Sequence, residues 1–380
     1  MGASMTSSVP VIFSYPIIAL AIAVVCGRAI ILDRTRSSKR VTAAVLALTG
    51  SALLRERDIQ DLIAATSNDW LDIQVVRQLS TAFLMLTMVP LVVMGAKWVF
   101  GHRSEAWAGY IYLAAGASAA LLIVVGSEAR EAGQYIDITA GWKTIVYFTV
   151  FSVWTAAMAT LYLYVSVREL KRGLLPPRFV SMFIALGLLS LWGVEETLSI
   201  LVSAVLAGTA HPNAFVHWRV EANEFNMIFI LLVSAIYAAV PLMYRLAETL
   251  GVDRWSRSFK ALTPMWLDLT SACPEVLLPN RPADLTSRQR LHRMCIELRD
   301  SLSVLARFRP PEIVVCQSST SKPHEIAEAI RDKKSGAAPS KFLSFEVPSA
   351  RTLEGEVAVL TSLAHEWKQA DLIASRSSSV

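Results

Sequence analysis

The run LLSLWGVEETLSILVSAVLAG, residues 188–208, decides how this chain is read. It is apolar over about 20 residues, the length an α-helix needs to cross the hydrocarbon core of a bilayer. Yet Glu195 and Glu196 stand side by side near its middle. A carboxylate at that depth costs roughly 3 kcal/mol on insertion scales, so it faces other helices or a polar cavity and has a partner. The pair therefore marks a candidate functional site inside a membrane bundle.

The rest of the chain agrees with a membrane setting for only part of its length. Of its 380 residues 54% are apolar and 18% charged, and the mean hydropathy is +0.46. That is too hydrophobic for an ordinary soluble domain and too charged to be all membrane. The apolar excess precedes about residue 245 and the charge excess follows it. This predicts a membrane domain at residues 1–244, a helical domain at 245–374 and a disordered end at 375–380. The four cysteines, Cys26, Cys273, Cys295 and Cys316, form no C-x-x-C pair and read as buried or spare thiols, not as a disulfide framework. The net charge of +5 comes largely from loops between apolar runs, where it orients the protein and need not imply nucleic acid.

Seven stretches read as spans: Val9–Leu32, Val41–Leu54, Leu79–Phe100 with Pro90 inside it, Trp107–Gly126, Ile145–Val167, Val180–Ala207 and Asn226–Met243. The first is preceded by MGASMTSSVP, which lacks Lys and Arg, and no A-x-A site follows it, so it reads as a retained span rather than a signal peptide. The second is the shortest and runs into Arg55-Glu56-Arg57-Asp58, through which its helix could instead continue toward Asp61. Lys and Arg cluster in Asp33–Arg40, Lys97–Arg103 and Arg168–Arg178, with Arg245 after the last span. By the positive-inside rule these are cytoplasmic, which places the N-terminus outside and the tail inside. Trp70, Trp142 and Trp218 then suit the outer interface.

Helical rise converts this topology into depth. Glu195 lies about 25 Å along its helix from Arg178, and Arg55 about 22 Å from Arg40. Both distances start at the inner face, so the two residues reach similar heights. A polar layer in the outer half follows, made of Arg55, Glu56, Arg57, Arg77, Glu195 and Glu196. Two readings of it stand: a pocket for an ion or ligand, or ion pairs between the glutamates and Arg55, Arg57 or Arg77. Adjacent residues on a helix point about 100° apart, so a shared two-carboxylate site is not implied.

Beyond Tyr244 the periodicity is that of amphipathic soluble helices. Leu291, Met294, Leu298, Leu302 and Leu305 recur at helical spacing within Leu285–Phe308, and Val357, Leu360, Ala364 and Trp367 do so within Leu353–Ile373. Shorter helices fit Trp255–Ala272 and His324–Asp332, with Arg309-Pro310-Pro311 and Gly336–Ser340 as breakers. The basic residues Arg288, Arg290 and Arg293 offer a face for a partner or the anionic inner leaflet.

Two blocks in the tail, ALTPMWLDLTSACPEVLLP at 261–279 and RLHRMCIELRDSLSVL at 290–305, resemble the C-terminal domain of an actinobacterial family of seven-span membrane proteins. The resemblance extends to the order of spans and tail. It implies a candidate transporter whose tail domain has no assigned function, and it carries no site residues across.

Nothing points to an enzyme or a cofactor. Phosphate-binding loops, dinucleotide turns, nucleophile elbows and kinase signatures are all missing from the sequence. His211, His217, Glu221 and Glu224 cluster in HPNAFVHWRVEANEF but match no metal spacing, and His324-Glu325 and His365-Glu366 lack the second His of a zinc helix. The expected architecture is thus all-α, a seven-helix transmembrane bundle with a small cytosolic helical domain. The function expected of it is that of a receptor or transducer whose tail binds a cytoplasmic protein. A secondary transporter and a membrane scaffold are the alternatives. Pro16, Pro90 and Gly193 interrupt spans, but the chain shows no internal repeat of the kind transporters carry.

Overall fold

The computed structural model describes residues 9–32, 35–66, 73–173, 176–211, 213–279, 285–308, 322–339, 345 and 347–377. Asp33, Arg34, Trp70, Arg309-Pro310-Pro311, Cys316 and Ser340 lie outside them. Every regular element among the described residues is helical, and the chain divides into two compact units, Met1–Met243 and Tyr244–Val380.

The first unit holds α1 (Val11–Ile31), α2 (Arg36–Leu53), α3 (Arg57–Thr66), α4 (Ile73–Phe100), α5 (Ala108–Val125), the short α6 (Ser127–Glu131), α7 (Trp142–Lys171), α8 (Pro177–Gly208) and most of α9 (Ala214–Thr249). Five segments are long and apolar enough to cross a membrane: Val11–Ile31, Ile73–Glu131, Trp142–Lys171, Phe179–Gly208 and Ala214–Ala272. The second contains both α4 and α5, folded back on each other. A 3₁₀ turn at Gly101–Trp107 reverses the chain, and Gln78 Nε2 near the start of α4 donates to the carbonyl of Gly126, just past α5, at 2.8 Å. The expected short second span, α2, falls outside the five because its first turns carry Arg36, Lys39 and Arg40. It ends where its apolar run ends. Arg55 and Glu56 turn the chain through hydrogen bonds to Ala52 and Leu53, 3.1 Å each, and α3 starts afresh instead of continuing α2.

The outward faces explain what surrounds this unit. Along α8, Leu188, Leu191, Leu198 and Val202 are more than half exposed, as are Ile12 and Phe13 of α1 and Leu113 and Val124 of α5. An apolar belt of that extent is unfavourable in water and at rest in lipid. Inside, Met85, Met88 and Val89 of α4 pack with Leu122 of α5 and Tyr147 and Phe151 of α7. Ile18 of α1, Leu48 and Ala52 of α2 and Met227 and Leu231 of α9 form a second cluster.

Polar contacts fasten the two ends of the bundle. At one end Glu105 takes Arg40 at 2.7 Å and Lys97 at 2.9 Å, and Arg168 reaches the carbonyl of Trp98. There Arg28, 3% exposed, ties α1 to Thr42 of α2 at 3.1 Å and to the carbonyl of Ala238 of α9 at 2.8 Å. At the other end the backbone N–H of Gly141 donates to the carbonyl of Gly208 at 2.9 Å. A Cβ on Gly208 would fall 2.9 Å from Gly141 O and 2.6 Å from Ile145 Cγ1, so only glycine fits this crossing.

The second unit packs α10 (Arg254–Ala272), α11 (Ser287–Leu305), α12 (Lys322–Lys334) and α13 (Leu353–Ser377). Leu262, Met265 and Leu269 of α10 meet Leu291, Leu298, Leu302 and Leu305 of α11, Ile326 of α12 and Leu360 and Leu363 of α13. These are the stripes whose spacing the sequence shows, and the helices fall where the periodicity places them. The expected helix at 285–308 is α11, begun by a capping box between Thr286 and Gln289 and continued by a 3₁₀ turn at Ala306–Phe308. The last helix, α13, runs to Ser377, and residues 378–380 lie outside the described residues.

Candidate functional site

The charged residues of the first unit gather where the end of α2, the start of α4, the C-terminal half of α8 and the start of α9 meet. Arg55, just past α2, donates from Nε to Ser80 Oγ at 3.0 Å and from Nη1 to Glu224 Oε1 at 3.4 Å. Arg77 of α4 donates from Nη2 to the same Glu224 oxygen at 2.9 Å, and its guanidinium lies 3.7 Å over the ring of Tyr135. Two cations thus converge on one carboxylate oxygen. Glu224 is 4% exposed, and its other oxygen, Oε2, is buried without a hydrogen-bond partner among the described residues.

Five residues earlier on α9, Arg219 grips both carboxylate oxygens of Glu196, with Nη1 at 3.2 Å from Oε1 and Nη2 bonded to Oε2. Asn226 adds a third donor at 2.6 Å. This pair joins α8 to α9 in the apolar bundle, where burying either charge alone would be expensive.

Of the six residues expected in a polar layer, three therefore come together: Arg55, Arg77 and Glu196. Glu195 is exposed, turned about 100° around α8 from Glu196. Arg57 turns outward on α3 to an exposed pair with Asp61 at 3.6 Å. Glu56 is 3% exposed but makes no ion pair among the described residues. The expected pairing of the glutamates with Arg55, Arg57 or Arg77 is replaced by Arg219, which stands closer to Glu196 because α9 begins at Ala214 instead of near residue 226.

Arg219 is not among the residues expected at the site, and Glu224 is expected only as a metal-capable residue, because the stretch HPNAFVHWRVEANEF is polar enough to pass for a loop. The signal was periodicity: Arg219, Asn223 and Asn226 are spaced four and three apart, one polar face of a helix. His211 and His217 of the same stretch are exposed, and among the described residues no three His, Cys, Asp or Glu side chains form a group that could hold a metal.

Beneath these charges lies a cavity of about 380 Å³. Its polar end is lined by Arg55, Arg77, Asp137, Glu196, Asn223 and Asn226. Its body is apolar, with Leu84, Met88, Phe151, Met158, Leu186 and Trp192 on its walls. Lining residues on α4 run from Gln74 to Leu91, a rise of about 25 Å. The cavity accordingly extends along most of α4, charged at one end and mostly apolar along the rest.

In the second unit the polar groups are structural. Glu297 of α11, 2% exposed, accepts from Trp266 Nε1 at 2.9 Å, Leu278 N at 3.2 Å and Arg293 Nε at 2.9 Å. Arg293 is therefore held inside this unit, while Arg290 is exposed and the exposed Arg288 lies 5.6 Å over the Trp255 ring. Burial pushes the Cys295 thiol up to about 11, with the nearby Glu356 adding to it, which leaves it inert as a nucleophile.

Comparison with known proteins places only this second unit. Residues 252–370, α10 through most of α13, match a family of unknown function, DUF6545. No curated protein matches the chain, and no solved structure does. The match does not reach the cavity, and of the five membrane-length segments it touches only the end of Ala214–Ala272.

Proposed function

We propose that this chain is a non-enzymatic, seven-pass membrane protein of the receptor or transducer type. In this reading a ligand enters the pocket in the outer half of the bundle, and the helical unit from Tyr244 binds a soluble protein in the cytoplasm. The observation that carries it is the cavity, lined at one end by Arg55, Arg77 and Glu196, in a chain that also has a separately packed helical unit. Seven passes take α2, α4 and α5 as individual crossings, α2 being short enough to rely on its neighbours and on snorkelling Lys39 and Arg40. Sidedness is supported by the gathering of Arg40, Lys97, Glu105 and Arg168 at one end of the bundle, since excess Lys and Arg marks the cytoplasmic face.

A secondary transporter is the second reading, favoured by one feature: the cavity lining extends along about 25 Å of α4, most of the thickness of a hydrocarbon core. Co-purification from native membranes separates the two. The full chain is compared with a version ending at Leu250, both checked for folding by their melting in detergent. A stoichiometric soluble protein recovered only with the full chain supports the transducer. Recovery of none with either, from folded protein, would overturn it in favour of the transporter.

A further inference from the structure

We infer that the cavity binds a single-chain amphiphile with an anionic head group, the head held by Arg55 and Arg77 and the chain lying among Leu84, Phe151, Met158 and Leu186. The inference deepens the proposed pocket by naming its ligand class and rests on that reading.

Shape argues for one chain. About 380 Å³ distributed along the length of α4 between Gln74 and Leu91 suits an unbranched alkyl chain better than a compact ring system. The wall chemistry agrees, since aliphatic, Met and Phe side chains line the body and the charges are confined to one end. A wholly polar solute would leave most of that wall without partners, and a wholly apolar one would strip water from two guanidinium groups and replace it with nothing.

The hydrogen-bond inventory sets the sign of the head. Both oxygens of Glu196 are occupied by Arg219 and Asn226, so Glu196 has little to offer a cation. Arg55 and Arg77 share one oxygen of one carboxylate. Among the described residues Arg55 Nη2 and Arg77 Nε and Nη1 have no hydrogen-bond acceptor. Tyr135 covers the face of the Arg77 guanidinium but not its edge. Planar, forked donors with open edges suit a carboxylate or phosphate. Asp137 and Asn223, also on the lining, stand ready for a hydroxyl or N–H elsewhere on the head.

The test uses the full chain in an uncharged maltoside detergent, with binding followed by native mass spectrometry. The probes are palmitate, methyl palmitate, hexadecylamine and a palmitoyl lysophosphatidate. We expect one palmitate or lysophosphatidate per chain, bound at least about tenfold more tightly than the ester, as loss of a charge-assisted contact implies. Preference for palmitate assigns a carboxylate head and preference for lysophosphatidate a phosphate head, and either supports the inference. Arg77→Gln is expected to bring palmitate down to the level of the ester. If that variant does not fold, Met158→Trp decides, since it fills the apolar body away from the ion pairs and is expected to abolish binding at unchanged melting temperature. Equal affinity for acid and ester, tighter binding of the amine, or full binding by folded Met158→Trp would overturn the inference. Partner recovery is read without any of these probes. Failure of the transducer reading therefore leaves the binding result standing, and failure of amphiphile binding leaves a tail-dependent partner in place.

Discussion

Arg219 of α9 holds both carboxylate oxygens of Glu196 of α8 while itself only 2% exposed, so each residue neutralises the other inside the bundle. Removing one partner strands the other. Glu196→Gln is expected to destabilise the folded bundle by about 3–5 kcal/mol, the usual cost of breaking a buried pair from one side. The double variant Glu196→Leu with Arg219→Met, which removes both charges, should recover most of that loss. Melting in detergent and equilibrium unfolding in mixed micelles measure both. If Glu196→Gln melts like the parent, the pair is not structural and the glutamate is free to serve a ligand.

How much of this was legible in the sequence follows from what periodicity and hydropathy can register. Leu291, Leu298, Leu302 and Leu305 form a stripe at helical spacing, so the helices of the second unit are where the pattern places them. Depth arithmetic brought Arg55, Arg77 and Glu196 to one height, because rise per residue is nearly constant. It could not assign direction around each helix axis, which is why Glu195 and Arg57 were grouped with residues they do not meet. Hydropathy also misplaced the start of α9. Its first turns are polar because Arg219, Asn223, Glu224 and Asn226 serve the inside of the bundle, and an averaging window reads such turns as loop. Arg28 was invisible for a related reason: a lone Arg near a helix end reads as interfacial, whereas here it ties three helices together.

The Gly208–Gly141 crossing yields a second prediction. Gly141 has φ +129°, a region closed to most side chains, and its N–H holds the end of α8. Gly208→Val would place a branched side chain against Gly141 O and Ile145. The expected loss is about 1–3 kcal/mol, the range for overpacking a close contact, seen as a lower melting temperature. Gly133→Val is a poor control because of its own positive φ, +61°. Gly116→Val is a sound one, since nothing lies within 4 Å of a Cβ there, and it should change little.

In the second unit Glu297 is the acceptor for three donors from three segments: Trp266, Leu278 and Arg293. In Glu297→Gln one oxygen becomes an amide nitrogen, so whichever way the amide turns, a donor faces a donor. Leaving a buried hydrogen-bonding group unsatisfied costs about 1–3 kcal/mol, more when a charge is involved. We expect faster hydrogen exchange in peptides from α10 and α11 and none in peptides from α4 or α7. Unchanged protection in α10 and α11 would show that these donors find other acceptors.

Acid sensitivity of the second unit follows from Asp253, the N-cap of α10. Burial pushes its carboxyl upward, but Ser256 and the Ser287 hydroxyl, together with the Trp255 and Ser256 N–H groups, hold it net below the ordinary value of 3.8. Its distances are 3.0 Å to Trp255 N, 3.3 Å to Ser256 N and 2.9 Å to Ser287 Oγ. A carboxyl whose pKa is lower in the folded state contributes stability that is fully present above its unfolded value and disappears as pH falls through the folded one. Glu356 acts in the same direction, because Arg299 and the N–H of Ala350 outweigh the upward push of burial. The cap should therefore be intact at about pH 7 and fail progressively below about pH 4. Melting of the parent and of Asp253→Asn across this range isolates the aspartate. The gap between them should be constant from neutral pH to about pH 5 and should narrow below about pH 4, as the parent protonates and the asparagine variant does not. A gap that stays the same width through the acid range would mean that ionised Asp253 gains nothing from these donors.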